Sequence, residues 1–503
     1  MPNYGFPIQI IGLASAYSTI PLHRQTGVDG KIIGQLLVAK SIRNCIPVIH
    51  GPTGCAFHRK INTLRPWDLF YDTPCSRFTE VEAIYGGNEK LAATIKEVYE
   101  KYKPDLIMII STCASDITGD DFEDIVSRLK NEIQCEIVYT TGTATERRRM
   151  VGVQDALYSI VDQLLEISTN EKIEKSVNLT ASPSFPPPKT QLLEFASMLE
   201  KSGVKVVGIY FGDNSVSELK KIPLAEMNIV PHPQSWAELV EKRYGSKTFI
   251  LSKLRYKSLE EAPYGIEGTK NLLIKIADEF NLGGEAEEVA NREYEKIKDD
   301  VEKHRKRLKG VKVSLEGPYL TDGLVMLREL GMKCSVLILR FSTSEKWLTK
   351  SAIKRLEKLV LDFILSYQDD EPEILVDPLF DEELSALKRN KVDLVVPGYK
   401  VHPARYTTVG LKVFIRRFLR YYGYSYIGFK KVLDLAKDVE LSLKGGIGDR
   451  SLLSMLEYSQ VWPRFDKHWE RLVSVFQKMW YYDVPPEPIT TIEEERRKKY
   501  QPI

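Results

Sequence analysis

The chain has 503 residues, which at roughly 150 residues per domain allows about three domains with large buried cores and excludes a small disulfide-stapled scaffold. Its 71 Lys and Arg against 69 Asp and Glu leave a formal net charge of +2, so there is no global electrostatic case for a nucleic-acid or membrane-surface partner. With 43% hydrophobic and 28% charged residues, the composition is that of a folded globular protein, not of a disordered or fibrous one.

No apolar run approaches the roughly 18 residues that a spanning helix requires. The first residues, MPNYGFPIQIIGLAS, have no basic segment ahead of their modest apolar stretch, so no signal peptide is expected and a cytoplasmic location follows. Six cysteines are too few for a disulfide framework. In a reducing compartment such thiols are ligands, nucleophiles or core residues, and their placement has to decide.

In chain order, residues 1–180 alternate short apolar runs with helical patterns, the rhythm of βα units feeding a parallel sheet. Strands are predicted at 46–50, 106–110 and 136–139. A helix is predicted over 88–102, where Leu91, Ile95, Val98 and Tyr99 recur at helical spacing. The proline-rich stretch ASPSFPPPKT, 181–190, reads as a linker. A second α/β block, 191–283, contains predicted strands at 204–211 and 248–251. The nearly all-charged stretch from 284 to 310 is expected to be one long solvated connecting helix. A third block, 311–410, repeats strand, Gly-Pro loop, helix, strand, and 411–503 reads as a mainly helical extension. Its aromatic-rich stretch at Phe418, Tyr421, Tyr422, Tyr424 and Tyr426 is expected to serve packing. The predicted fold is α/β, with three Rossmann-like doubly wound parallel-sheet domains and a helical C-terminal extension.

Rossmann-like blocks invite a nucleotide, but GxxxxGK[ST] is absent, as is GxGxxG between a strand and a helix. This chain is therefore expected to bind neither ATP nor NAD itself. HExxH and GxSxG are also missing, which removes the metallohydrolase and serine-hydrolase classes. The cysteines are more informative. Cys55 follows the first predicted strand in HGPTGCAFHR, Cys75 lies in a Thr-Pro-Cys-Ser loop, and Cys113 follows the second strand in STCASDITGDD. In open α/β sheets, residues beyond the carboxyl ends of parallel strands converge on one crevice, and two of these thiols sit at such ends.

The intervals of 19 and 37 residues between successive members of this trio are too long for a zinc knuckle or a ferredoxin run, so the fold would have to assemble the ligands. Soft thiolates without clustered histidines favour iron-sulfur over hard cations. A cubane takes about four protein ligands and the crevice offers three. The fourth is either a carboxylate, Asp116 or Glu80, or a ligand from another subunit; the plainer alternative is three unrelated buried thiols. Gly51 and Gly54 would let backbone approach a bulky inorganic body. Cys45, Cys135 and Cys334, at or within strands, are expected to be core.

The segments HGPTGCAFH, CSRFTEVEAIYGGNEKL and YKPDLIMIISTCASDITGDD resemble, in order, the three cluster-binding segments of the nitrogenase component 1 family. PYGIEGTKNLLIKIA, EGPYLTDGLVMLRELGM and DLVVPGYKVHPAR extend the resemblance more weakly over the rest of the chain. The resemblance implies that Cys55, Cys75 and Cys113 hold an iron-sulfur cluster, [4Fe-4S] or of the [8Fe-7S] P-cluster type, at an interface with a homologous component 1 subunit or a second copy. It also implies an electron-donating partner, a separate ATP-dependent [4Fe-4S] reductase, so that ATP acts in trans.

In catalytic subunits of the family a middle-domain cysteine and a later histidine hold the iron-sulfur cofactor. Here no cysteine lies between Cys135 and Cys334, and His402 does not match the family's histidine context. It is kept as a candidate on the substrate side. His58, Ser76 and Asp116 are candidates for hydrogen bonding or proton handling near the cluster. Arg59, Lys60, Arg65 and Arg77 form a candidate basic rim for docking the reductase. The expected role is electron relay in a nitrogenase-like oxidoreductase, as a beta-type subunit or a member of the tetrapyrrole- or sulfur-compound-reducing branches. The alternatives are a scaffold for iron-sulfur cofactor assembly and a metal-free ligand-binding α/β protein.

Overall fold

A computed structural model of the chain describes residues 30–56, 73–142, 149–165, 171–181, 189–251, 263–317, 320–339, 358–396, 406–414 and 427–444, isolated positions within these spans excepted. Its frame is three parallel sheets, as the α/β alternation predicts. The first has the order β1 (Cys45–His50), β2 (Leu106–Ser111), β3 (Glu136–Thr140). Cys45 lies opposite Leu106 and His50 opposite Ser111. Every residue of β2 is buried, because helices cover both faces, the usual condition of a parallel sheet. Leu106, Met108 and Ile110 face α1 (Lys31–Lys40). Ile107 and Ile109 face the other way, packing with Leu91 and Ile95.

On that second face α2 (Glu80–Tyr85) leads into α3 (Asn88–Tyr102), whose buried residues Leu91, Ala92, Ile95 and Val98 form one stripe. Then α4 (Cys113–Thr118) follows β2, and α5 (Phe122–Leu129) packs beside α3. The sheet is completed by α6 (Arg149–Leu164), which lies along α1. Their approach is close: a Cβ on Gly152 would lie 2.0 Å from the carbonyl oxygen of Lys31. The buried Lys31 ammonium pairs with Asp155 at 2.5 Å and donates to the carbonyls of Thr141, 2.7 Å, and Gly142, 3.1 Å. Its three donors are thus matched by three acceptors, which offsets the desolvation of the charge.

The second sheet has the order β5-β4-β6-β7, with β4 Ile173–Thr180, β5 Lys205–Tyr210, β6 Ala225–Val230 and β7 Lys247–Ile250. The strands β4 and β6, which the hydrophobic pattern did not reveal, form its centre; β4 lies within the stretch read as the first block but pairs in this second sheet. Between them the Asn178 amide donates to Asn228 Oδ1 at 2.8 Å. The third sheet, β10-β9-β8-β11, comprises β8 Lys312–Gly317, β9 Lys333–Leu339, β10 Glu373–Val376 and β11 Leu394–Val395.

One expectation needs correcting. The charged stretch from 284 is not one solvated helix but two, α7 (Gly283–Glu295) and α8 (Lys298–Leu308). Ala286, Val289, Ala290, Ile297, Val301 and Leu308 are buried in the core shared by the second and third sheets. The acidic and basic residues occupy the outer face and mask this apolar stripe in the composition. The helical extension contributes α9 (Lys430–Leu443), which packs on α8 with His304 Nδ1 2.7 Å from Glu440 Oε1. Phe418 to Tyr426 and the end of the chain lie outside the described residues. No described helix is long and apolar enough to cross a membrane.

The contact between α1 and α6 predicts that Gly152→Val lowers stability by about 1–3 kcal/mol, because the added atoms meet backbone that can only shift as a unit. The measurement is the midpoint of urea unfolding. Gly284→Ala, whose added methyl meets nothing within 4 Å, should stay within about 0.5 kcal/mol of the wild type.

Candidate functional site

Three thiol-bearing segments leave the carboxyl end of the first sheet. The chain turns from β1 at Gly51, and Cys55 follows in a helical stretch described to Ala56, its amide donating to the Pro52 carbonyl at 3.0 Å. Cys113 opens α4 two residues after β2 ends. The Cys75 loop runs alongside the end of β1: Ile49 N–H donates to the Pro74 carbonyl at 2.9 Å, and Ser76 N–H to the Ile49 carbonyl at 3.1 Å. The three thiols therefore reach one end of one sheet from three separate stretches of sequence.

The residue they share is His50, the last of β1, whose side chain is fully buried. Its Nε2 lies 3.0 Å from Asp120 Oδ2, and its Nδ1 2.9 Å from Ser76 Oγ. A carboxylate only accepts, so Nε2 carries the proton, and Nδ1 accepts from the serine hydroxyl. Ser76 Oγ in turn accepts from the Gly51 amide at 3.0 Å. The backbone carbonyl of His50 accepts from the hydroxyls of Thr112 and Ser115, each at 2.9 Å. Asp120 also accepts from Gly87 N–H at 2.7 Å and from Thr118 Oγ1 at 3.0 Å. One residue thus ties the loops of Cys55, Cys75 and Cys113 together. Phe78 and Phe122 close over the imidazole edge-on, at ring distances of 4.7 and 5.5 Å. Burial among these rings holds the His50 pKa down to about 4, outweighing the opposite pull of Asp120, so the ring is neutral at pH 7.

Gly51 lacks a side chain for a steric reason: a Cβ there would lie 2.1 Å from Thr112 Oγ1. Its carbonyl accepts from the Cys75 thiol at 3.2 Å and from Phe78 N–H at 3.0 Å. Arg77 adopts a φ of 57°, a left-handed conformation uncommon outside glycine, and its amide donates to Cys75 Sγ at 3.4 Å. Burial pushes the Cys75 pKa up; the Arg77 amide opposes this, and the nearby Cys55 adds to it. Metal binding at this thiol must therefore displace a proton.

The donor set suits an iron-sulfur cluster better than a single ion. Among the described residues no three His, Cys, Asp or Glu side chains converge on one metal ion. A cluster does not require that, since each iron takes its own thiolate and the ligands surround a body. Beside Cys55, the space that a Cβ on Gly54 would enter is open to beyond 4 Å. Cys55 and Cys75 are half-buried and Cys113 is exposed. Around Cys113, α2 and α4 present Val81, Ile84, Tyr85 and Ile117, each more than half exposed.

A family model described as nitrogenase component 1 type oxidoreductase matches residues 31–443. The chain belongs to that family. Similar component 1 family proteins include the nitrogenase iron-molybdenum cofactor biosynthesis protein NifE of Clostridium pasteurianum, 24% identical over 437 residues, with 83% of this chain and 87% of that one covered. The nitrogenase molybdenum-iron protein alpha chain of Methanosarcina barkeri is 24% identical over 472 residues, covering 83% and 84%. A solved structure described as nitrogenase Cp1 at pH 5 superposes with a TM-score of 0.61 at 19% identity, over 86% of this chain and 91% of that chain. That likeness establishes the component 1 fold.

The remaining candidates fall in different places. Ser76 is buried in the His50 network. Asp116, in the first turn of α4, accepts from the Gly142 amide at 3.3 Å beyond the end of β3. Glu80 and Arg77 are exposed. His58, Arg59, Lys60, Arg65 and His402 lie outside the described residues. Cys45 and Cys334 are buried strand thiols, and burial pushes Cys334 up to about 12. Cys135 is half-buried and pushed up to about 11, chiefly by desolvation. Sequence reasoning missed His50 and Asp120. Both stand in motifs it quoted, HGPTGC and TGDD, but their partnership spans 70 residues.

A neutral buried histidine has a defined pH signature. As pH falls below about 6.5 the unfolded state takes up a proton that folded His50 refuses until about pH 4, so this group's contribution to stability declines through that window and levels off below it. Between pH 7 and pH 5 the decline should be about 2 kcal/mol. His50→Gln should remove it, read as a flatter dependence of urea stability on pH relative to the wild type.

Proposed function

We propose that the chain is one subunit of a nitrogenase-like reductase. With a homologous subunit, or a second copy of itself, it holds an iron-sulfur cluster through Cys55, Cys75 and Cys113. It relays low-potential electrons from a separate ATP-hydrolysing [4Fe-4S] reductase to a substrate or cofactor held in the complex. The observation that carries this is the joining of three thiol-bearing loops to one buried histidine at the carboxyl end of one sheet. Cys75 also packs against the neighbouring core, but Cys55 is half-buried outside that core and Cys113 is exposed, unlike the fully buried Cys45 and Cys334.

Bound there, a cluster supplies reversible one-electron transfer. The chain's own residues hold it as thiolates, with open space at Gly54 and amide hydrogen bonding at Cys75. Three thiols leave the ligation of a cubane incomplete, and the exposed apolar residues around Cys113 make this the face on which the partner subunit would complete it.

A second reading, a scaffold on which an iron-sulfur cofactor is assembled, is favoured by one sequence fact: no cysteine stands between Cys135 and Cys334, which leaves the middle block without a thiol for a catalytic cofactor. The similarity to NifE points the same way. Multiple-turnover substrate reduction with the reductase and ATP present supports the enzyme. Release of a cofactor to an acceptor protein without turnover supports the scaffold.

Anaerobic purification with the partner subunit, followed by iron and sulfide counting and EPR, tests both. About four irons per interface identifies a cubane and about eight a P-type cluster. Cys55→Ala and Cys113→Ala should each lose most of the iron, whereas Cys334→Ala should retain it. Equal iron in all three variants would remove the ligand assignment.

A further inference from the structure

We propose that His50 is a positioning residue for the cluster thiolates: through Ser76 it fixes Gly51, whose carbonyl oxygen faces the Cys75 sulfur, and it thereby lowers the potential at which the cluster accepts an electron. The inference rests on the cluster reading given above and goes beyond it, because His50 is not a ligand.

The chain of contacts is continuous and buried. Asp120 receives the Nε2 proton of His50 at 3.0 Å, which leaves Nδ1 to accept from Ser76 at 2.9 Å. Ser76 is thereby oriented with its lone pairs toward the Gly51 amide, 3.0 Å away. At its other polar end Gly51 presents its carbonyl to Cys75 Sγ at 3.2 Å. In the protonated thiol that contact is a hydrogen bond. With iron in place of the thiol proton, which leaves to solvent, the same oxygen would place partial negative charge against a thiolate. Negative charge beside a ligand sulfur disfavours a further electron, while the Arg77 amide, 3.4 Å from the same sulfur, acts in the opposite sense.

Gly51 also packs against Thr112, and its carbonyl accepts a second bond from Phe78 N–H at 3.0 Å, so Ser76 sets the orientation of a peptide that is tethered at its other end. His50 and Ser76 are both fully buried. The same histidine restrains the start of α4 through its backbone carbonyl. Substitution of its ring releases Asp120 as well as Ser76 and leaves that backbone restraint in place, so Ser76→Ala is the variant that isolates the Cys75 branch.

The test is an EPR-monitored redox titration of the complex, purified anaerobically with its partner subunit, together with iron content and melting temperature. The variants are Ser76→Ala, His50→Phe, their double combination, and His304→Gln as a distant control. Ser76→Ala and His50→Phe should keep their iron and raise the midpoint potential. The double variant should move it no further than the larger single shift, and His304→Gln should leave it in place. Loss of iron from either single variant at a wild-type melting temperature also supports the role. An unchanged or lowered potential in either single variant, or additive shifts in the double, overturns it. If His50→Phe fails to fold, Ser76→Ala decides alone, since it removes one hydroxyl without disturbing the aromatic packing. An iron-free wild-type complex overturns the cluster reading itself, and this role with it.

Discussion

A neutral imidazole sealed at the end of a strand is the constraint around which the carboxyl end of the first sheet is arranged. Sealing a polar ring among phenylalanines costs free energy unless both nitrogens are matched, and here each is. The donor nitrogen finds a carboxylate and the acceptor finds a hydroxyl, from loops that sequence alone would leave unrelated. Because those loops carry the thiols, the requirement to satisfy one buried histidine also fixes where the sulfur atoms leave the sheet. Asp120 extends the constraint to Gly87 at the start of α3, so the framework behind the thiols is continuous with the helical layer.

The architecture around this point was legible to different degrees, for physical reasons. β2 is apolar throughout because both of its faces are covered, and α3 shows its stripe at helical spacing; the expected bounds of α3 coincide with the observed Asn88–Tyr102. The strands β4 and β6 escaped because their centres carry buried asparagines. Asn178 and Asn228 satisfy each other in part across the sheet, so the run of apolar side chains that announces a buried strand is broken by a polar pair. The stretch from 284 misled in the opposite sense: its charges are real, but they decorate the outside of two helices whose inner residues join the largest core. Composition averages over faces; only periodicity separates them.

Cys55 and Cys113 were recognisable from their positions just beyond strands, a local property, whereas Cys75 stood only in a loop. The joint attachment of the three loops to His50 was not, since it depends on a pair 26 residues apart, set by the bridge of the Cys75 loop to Ile49, and a pair 70 residues apart, set by the parallel register of β1 and β2. A histidine followed by glycine at a strand end carries no local mark of such a role. The family resemblance identified the ligand candidates but not the side chain that orients their loops. That side chain emerges from the hydrogen-bond inventory of a buried polar group.

The apolar residues on α2 and α4 have a further consequence for the life of the protein in a cell. Val81, Ile84, Tyr85 and Ile117 would adhere to almost any complementary surface if the chain were made in excess of whatever covers them. If the partner subunit proposed above covers them, matched production of the two chains would keep this surface from being left bare. On that reading the surface would bear on stoichiometry as well as on chemistry.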